Sequence, residues 1–155
     1  MANTVSTPDA TWMKIALTEA GLANGDVPVG SIIVQAGQLI AQGHNRKVET
    51  HDPTDHAEIV AIRAASQQLG TWRLENCTIY TTLEPCPMCA EAIIQARISK
   101  LVFGAYDPLS GATGSKFNLF VSGRIYPIPE VIGGILEEDC QSLLKAFFRG
   151  KVEQP

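Results

Sequence analysis

No stretch of the 155 residues approaches the roughly 18 consecutive apolar residues of a membrane-spanning helix, so no membrane segment is expected. Cations are also scarce. Twelve Lys and Arg stand against sixteen Asp and Glu, a net charge of -4, which argues against a wide nucleic-acid footprint unless basic residues gather locally. Charge of either sign is limited to 18% of residues while hydrophobic residues reach 45%, which excludes a disordered chain. The opening Met-Ala-Asn-Thr-Val-Ser-Thr-Pro has neither the basic nor the apolar region of a signal peptide, so export is not expected. Four cysteines without such a leader read as reduced thiols, and the cytoplasm is the expected compartment. The length suits one domain, residues 1–155, with a folded core at about 9–150 between short polar tails.

An apolar-periodic stretch opens at Pro8-Asp9, holds Trp12, Ile15, Ala16 and Ala20, and reads as helix up to Asn24-Gly25. Val29–Val34 and Gln38–Gly43 read as strands joined at Ala36-Gly37, a hairpin. A polar loop, His44 to Asp55, leads through Asp52-Pro53-Thr54 into a helix ending near Gly70. Cys77–Thr82 is a third strand, Pro87–Arg97 a helix and Lys100–Ala105 a fourth strand. A glycine-rich loop, Asp107 to Gly114, precedes a poorly patterned region up to Gly134, and a helix from about Glu137 to Phe148 closes the chain. Strands alternating with helices after a hairpin imply an α/β fold, a mixed sheet with helices on both faces.

The most informative stretch is Leu83-Glu84-Pro85-Cys86-Pro87-Met88-Cys89, read with His56-Ala57-Glu58 upstream. Thiols at i and i+3 share a face at the start of a helix and can bite one ion. Pro87 in a first turn sacrifices only an amide that has no partner there, and unpaired helix-start amides favour thiolate. His56 is the best third ligand. Three protein ligands leave a fourth position open, the arrangement of a catalytic zinc. Cys77, Cys140, His44 and His51 could instead close a structural site, and Cys86-x-x-Cys89 alone could be a redox pair. Cys77 and Cys140, among apolar neighbours, read as core. Glu58 points about 200° from His56 on an ideal helix, so the pair cannot grip one ion side by side. At the helix tip, His56 can serve the metal while Glu58 serves as proton shuttle.

His-x-Glu followed by Pro-Cys-x-x-Cys resembles the zinc nucleobase deaminase signature, matched at His56, Glu58, Pro85, Cys86 and Cys89. From Asp26 to Arg149 the chain resembles the bacterial tRNA adenosine deaminase family (TadA). The likeness rests on Val27-Pro28-Val29-Gly30, Gly43-His44-Asn45-Arg46, Asp52-Pro53-Thr54, Thr82-Leu83-Glu84-Pro85-Cys86, Val102-Phe103-Gly104-Ala105, Gly111-Ala112 with Gly114-Ser115, and Phe147-Phe148-Arg149. The resemblance implies a three-layer α/β/α cytidine deaminase-like fold around a mixed sheet of about five strands. It implies a homodimer with one Zn2+ per subunit, converting the wobble adenosine of a tRNA anticodon loop to inosine with release of ammonia. It places the zinc ligands on His56, Cys86 and Cys89 and the catalytic proton shuttle on Glu58. Asn45 falls where the family reads the flipped nucleotide, although a turn asparagine would look the same. Pro28, Val29 and Leu83 fall on the apolar base pocket, Asp107 on a substrate loop and Phe148 near the anticodon loop.

Three features depart from the family pattern. Asp55 adds a negative charge beside His56, as a helix cap or on the pocket rim. Tyr106 stands where a basic residue occurs in some members. Gly150 to Pro155 lacks the strongly basic tail of some relatives, which leaves phosphate contacts to Arg46, Lys47, Lys116, Arg124, Lys145 and Arg149. Asp107 to Leu119, mobile by composition, could line an interface or a substrate groove. The alternative function is a free-base or nucleoside deaminase of guanine or cytosine type, because Glu84 to Cys89 also resembles the guanine deaminase motif. A non-catalytic subunit is disfavoured because Glu58 is present.

Overall fold

A computed structural model describes residues 7–153, with side chains through residue 150. Residues 1–6, most of the expected N-terminal tail, and Gln154-Pro155 lie outside the described residues. The Thr7 hydroxyl accepts from Ala10 N at 3.1 Å and starts helix α1, Pro8–Ala20. Gly21 caps its end, short of the Asn24-Gly25 boundary expected from the sequence. Strands β1 (Gly30–Gln35) and β2 (Gln38–His44) form the expected antiparallel hairpin. Its turn residues, Ala36 and Gly37, have φ of 51° and 74°, the backbone that matches strand twist in a two-residue turn.

The polar loop after β2 contains a short helix, α2 (Lys47–Thr50). Helix α3 (Ala57–Leu69) follows, then strand β3 (Cys77–Leu83), helix α4 (Pro87–Gln95) and strand β4 (Lys100–Ala105). The poorly patterned region holds a fifth strand, β5 (Glu130–Ile132). Helix α5 (Glu137–Glu153) runs on past Phe148 into what was expected to be tail.

The sheet order is β2-β1-β3-β4-β5, with β1 antiparallel to both neighbours and β3, β4 and β5 parallel. Alternation along the strands divides the core in two. Ile33, Ile79, Leu101 and Phe103 pack with Ala61, Ala65 and Ile93 of α3 and α4 on one face. On the other, Ile32, Val34, Tyr80 and Val102 pack with Met13, Ala16 and Cys140 of α1 and α5. This is a three-layer α/β/α arrangement. Contact between α3 and β2 is close enough that a Cβ on Gly43 would stand 2.8 Å from Ala61 N and Val60. Only glycine lets the helix approach there, and α3 carries the first half of the site.

Candidate active site

Strand ends converge at one end of this sheet. The C-terminal ends of β3 and β4 lie beside the start of β1 and the end of β2, the end where α/β sheets place ligands. His56 is the N-cap of α3 and Cys86 the N-cap of α4, so both helices aim their amide ends at the same point. His56 Nδ1 stands 3.6 Å from Cys86 Sγ and 3.4 Å from Cys89 Sγ. A tetrahedral ion with metal–sulfur and metal–nitrogen bonds of about 2.3 and 2.05 Å requires N···S separations of about 3.5 Å. The donor set therefore fits zinc.

Among the described residues, no other His, Cys, Asp or Glu joins the three, so a fourth position stays open. The four alternative ligands stand elsewhere. Cys77 and Cys140 are buried in the core, His44 Nδ1 bonds Glu19 Oε2 at 2.7 Å, and His51 is an exposed residue with φ of 56°.

The two thiols are pushed in opposite directions by each other. The hydrogen bond from Cys89 holds the Cys86 thiol down at about 4, and the same bond with burial pushes Cys89 far up. A bound cation is what lets both become thiolates. His56 is held above its ordinary value, first by its hydrogen bond to Cys86. Glu58, in the first turn of α3 and only 4% exposed, is pushed by burial to about 7. A carboxyl poised near neutrality can both take and give a proton.

A cavity of about 430 Å³ opens over this floor. Of the residues expected there, Asn45, Val29, Leu83, Asp107 and Phe148 line it with His56, Glu58 and Cys86, while Cys89 is buried below. Pro28 does not line it. The chain turns its flanking residues, Val27 and Val29, inward instead and buries the proline.

Asn45 is more engaged than a free recognition residue. Its Nδ2 donates to Val27 O at 2.9 Å, and its Oδ1 accepts from Ala57 N at 2.8 Å, capping α3 from outside the helix. One amide hydrogen and one lone pair remain for a ligand. Asp55 neither caps α3 nor lines the cavity: its carboxylate accepts from Thr50 Oγ1 at 2.7 Å and pairs with Arg63 at 2.6 Å. Tyr106 packs edge-on to Phe103, with ring centroids 5.0 Å apart, and forms rim.

Lys47, Leu109, Ser110, Leu144 and Glu84 complete the wall, and the sequence offers no signal for most of them because α2, the 106–110 turn and α5 reach the site only in three dimensions. Glu84 is the exception in kind, a carboxylate beside the cysteine motif and only 1% exposed. Burial alone would raise it, yet hydrogen bonds from Ser115, Asp107 and Thr113 hold it below the ordinary carboxylate value. A larger cleft of about 680 Å³ lies at the other end of β3 and β4, between Arg73, Arg97 and Tyr126, and carries neither thiol nor histidine.

The chain is similar to known proteins in sequence and in fold. The family model for the cytidine and deoxycytidylate deaminase zinc-binding region matches residues 6–105. The tRNA-specific adenosine deaminase of Bacillus subtilis (strain 168) is 46% identical over 145 residues, 92% of this chain and 90% of that protein. A solved structure from work on A-to-I editing by tRNA:A34 deaminases at the wobble position of transfer RNA superposes with a TM-score of 0.83. It is 42% identical over 86% of this chain and 99% of its own. The guanine deaminase structure from Bacillus subtilis is 32% identical over 94% of this chain and 76% of its own, with a TM-score of 0.56. The chain belongs to the cytidine and deoxycytidylate deaminase family, on the branch whose members carry the name tRNA-specific adenosine deaminase.

Proposed function

We propose that this chain is a hydrolytic deaminase that converts adenosine to inosine at the wobble position of a tRNA anticodon. The observation that carries the reading is the set of His56, Cys86 and Cys89 beside buried Glu58, with His56, Glu58 and Cys86 lining one cavity and Cys89 buried below it. The identity to tRNA-specific adenosine deaminases over most of the chain supports tRNA as substrate. His56, Cys86 and Cys89 would hold one zinc per subunit, and the metal would supply acidified water as nucleophile near neutral pH.

The protein's own groups do the rest. Adenosine and water become inosine and ammonia: the C6–N bond breaks and a C6–O bond forms. The Glu58 carboxylate accepts a proton from the attacking water, hands it to ring N1, and delivers another to the departing amine. Asn45, clamped between Val27 and Ala57, presents its remaining amide hydrogen to the purine edge. Val29 and Leu83 pack the base, and Phe148, half exposed at the rim, offers a face to a neighbouring nucleotide. Extruding the base costs a few kcal/mol, least from an unpaired loop. The deaminase domain works as a homodimer in the cytoplasm. Among the described residues no helix is long and apolar enough to cross a membrane.

Ammonia release discriminates this reading from its runner-up. Purified protein is offered an anticodon stem-loop with a wobble adenosine, beside free guanine, cytosine, cytidine and adenosine. The stem-loop alone should react. Turnover of a free base with the stem-loop untouched would overturn tRNA editing in favour of small-substrate deamination.

A further inference from the structure

Resting on that reading, we propose that Glu84 is the positioning residue that builds the far wall of the substrate cavity. Composition marks the stretch after β4 as mobile, yet its amides are spoken for. Glu84 Oε1 accepts from Asp107 N at 2.9 Å. Oε2 accepts from Thr113 N at 2.9 Å, Thr113 Oγ1 at 2.7 Å and Ser115 N at 3.3 Å. Four donors from one loop converge on one buried carboxylate.

Only a carboxylate can accept all four without offering a proton of its own. The loop is shaped to reach it. A Cβ on Gly111 would collide with the Glu84 carboxylate, so the chain passes there only as glycine. On either side the backbone repeats the clamp: Glu84 N donates to Ala105 O and Ala112 N donates to Pro85 O, both at 2.8 Å. The loop and the turn bearing Cys86 therefore form one unit, and the loop's outer side puts Asp107, Leu109 and Ser110 on the cavity. Glu84 has no need to touch substrate. It acts through those three residues.

Glu84→Gln keeps the shape but sets an amide N–H₂ against N–H donors, leaving at least one unbonded. The expected signature is a split. Zinc content stays at the wild-type level, exchange of the Asp107, Thr113 and Ser115 amides quickens by about tenfold or more, and KM for the stem-loop rises about tenfold while kcat stays within about threefold. Thr113→Val, remote from the cysteines, removes one donor and should move both readouts the same way by less; it carries the test if Glu84→Gln does not fold. Unchanged amide exchange would overturn the proposal, as would lost zinc with the loop still protected, or a fall in kcat at constant KM. The exchange readout needs no substrate, so failure of the tRNA-editing reading would leave wild-type turnover absent while still testing the clamp.

Discussion

His56 and Glu58 are two residues apart, yet one is assigned to the metal and the other to the proton. The division is possible because His56 is a cap with extended backbone, φ -74° and ψ 155°, while Glu58 already sits in the helix. Substituting alanine for His56, Cys86 or Cys89 removes one of only three donors. Each variant is expected to lose bound zinc, read by metal analysis after dialysis, and with it activity. Asn45→Ala removes the outside cap on α3 and its tie to Val27. It should cost about 1–2 kcal/mol in denaturant unfolding even without substrate, and the same change should slow turnover because the cap belongs to the helix that aims His56. Wild-type stability with weakened binding alone would assign Asn45 to recognition only.

Among the elements, the approach of α3 to β2 is the tightest geometric demand on the first half of the site. Gly43→Ala pushes a methyl into Val60 and the Ala61 amide. The expected cost is about 1–3 kcal/mol, a drop of several degrees in Tm by calorimetry; an unchanged Tm would show that α3 yields freely. What was legible in the chain follows from length and period. Strands β1 to β4 and helices α1, α3 and α4 carry enough apolar repeats, punctuated by Ala36-Gly37 and Gly70, to be read directly. Helix α2, four residues long, is too short to show a period. Strand β5 is a three-residue edge strand with an exposed Glu130, and only its pairing with β4 defines it. The candidate metal set was legible because Cys86 and Cys89 stand three apart at a helix start and His56 opens the helix upstream. Between Asp107 and Leu119 the groove-lining role was legible, but the hydrogen bonds that tie Asp107, Thr113 and Ser115 to Glu84 were not, because that partner lies 23 to 31 residues away, and the cavity role of α5 was legible only at Phe148.

At the scale of the molecule, an acidic protein must hold an anionic substrate with few cations. Arg46 is already paired with Glu49 at 3.0 Å, and Arg124 grips both oxygens of Glu91 at 2.7 and 3.1 Å. Of the six basic residues named for phosphate contact, Lys47, Lys116, Lys145 and Arg149 are therefore the available ones among the described residues. Four contacts to a single-stranded loop predict a slope of log K against log salt of about -3, and Lys47→Ala should flatten it by about 0.7. A slope near twice that would place further cations at the interface. The whole arrangement of fold, His56–Cys86–Cys89 set, buried carboxyl and open cavity converges on one claim, that Glu58 moves the protons of a wobble deamination. The measurement that tests it most directly is inosine formation in an anticodon stem-loop by wild type and Glu58→Ala, with zinc determined in the same samples. Equal zinc in both, with inosine formed by the wild type and reduced at least a thousandfold in the variant, is the predicted result, on the scale of losing a general acid–base group. Inosine formed at a comparable rate by Glu58→Ala would contradict it.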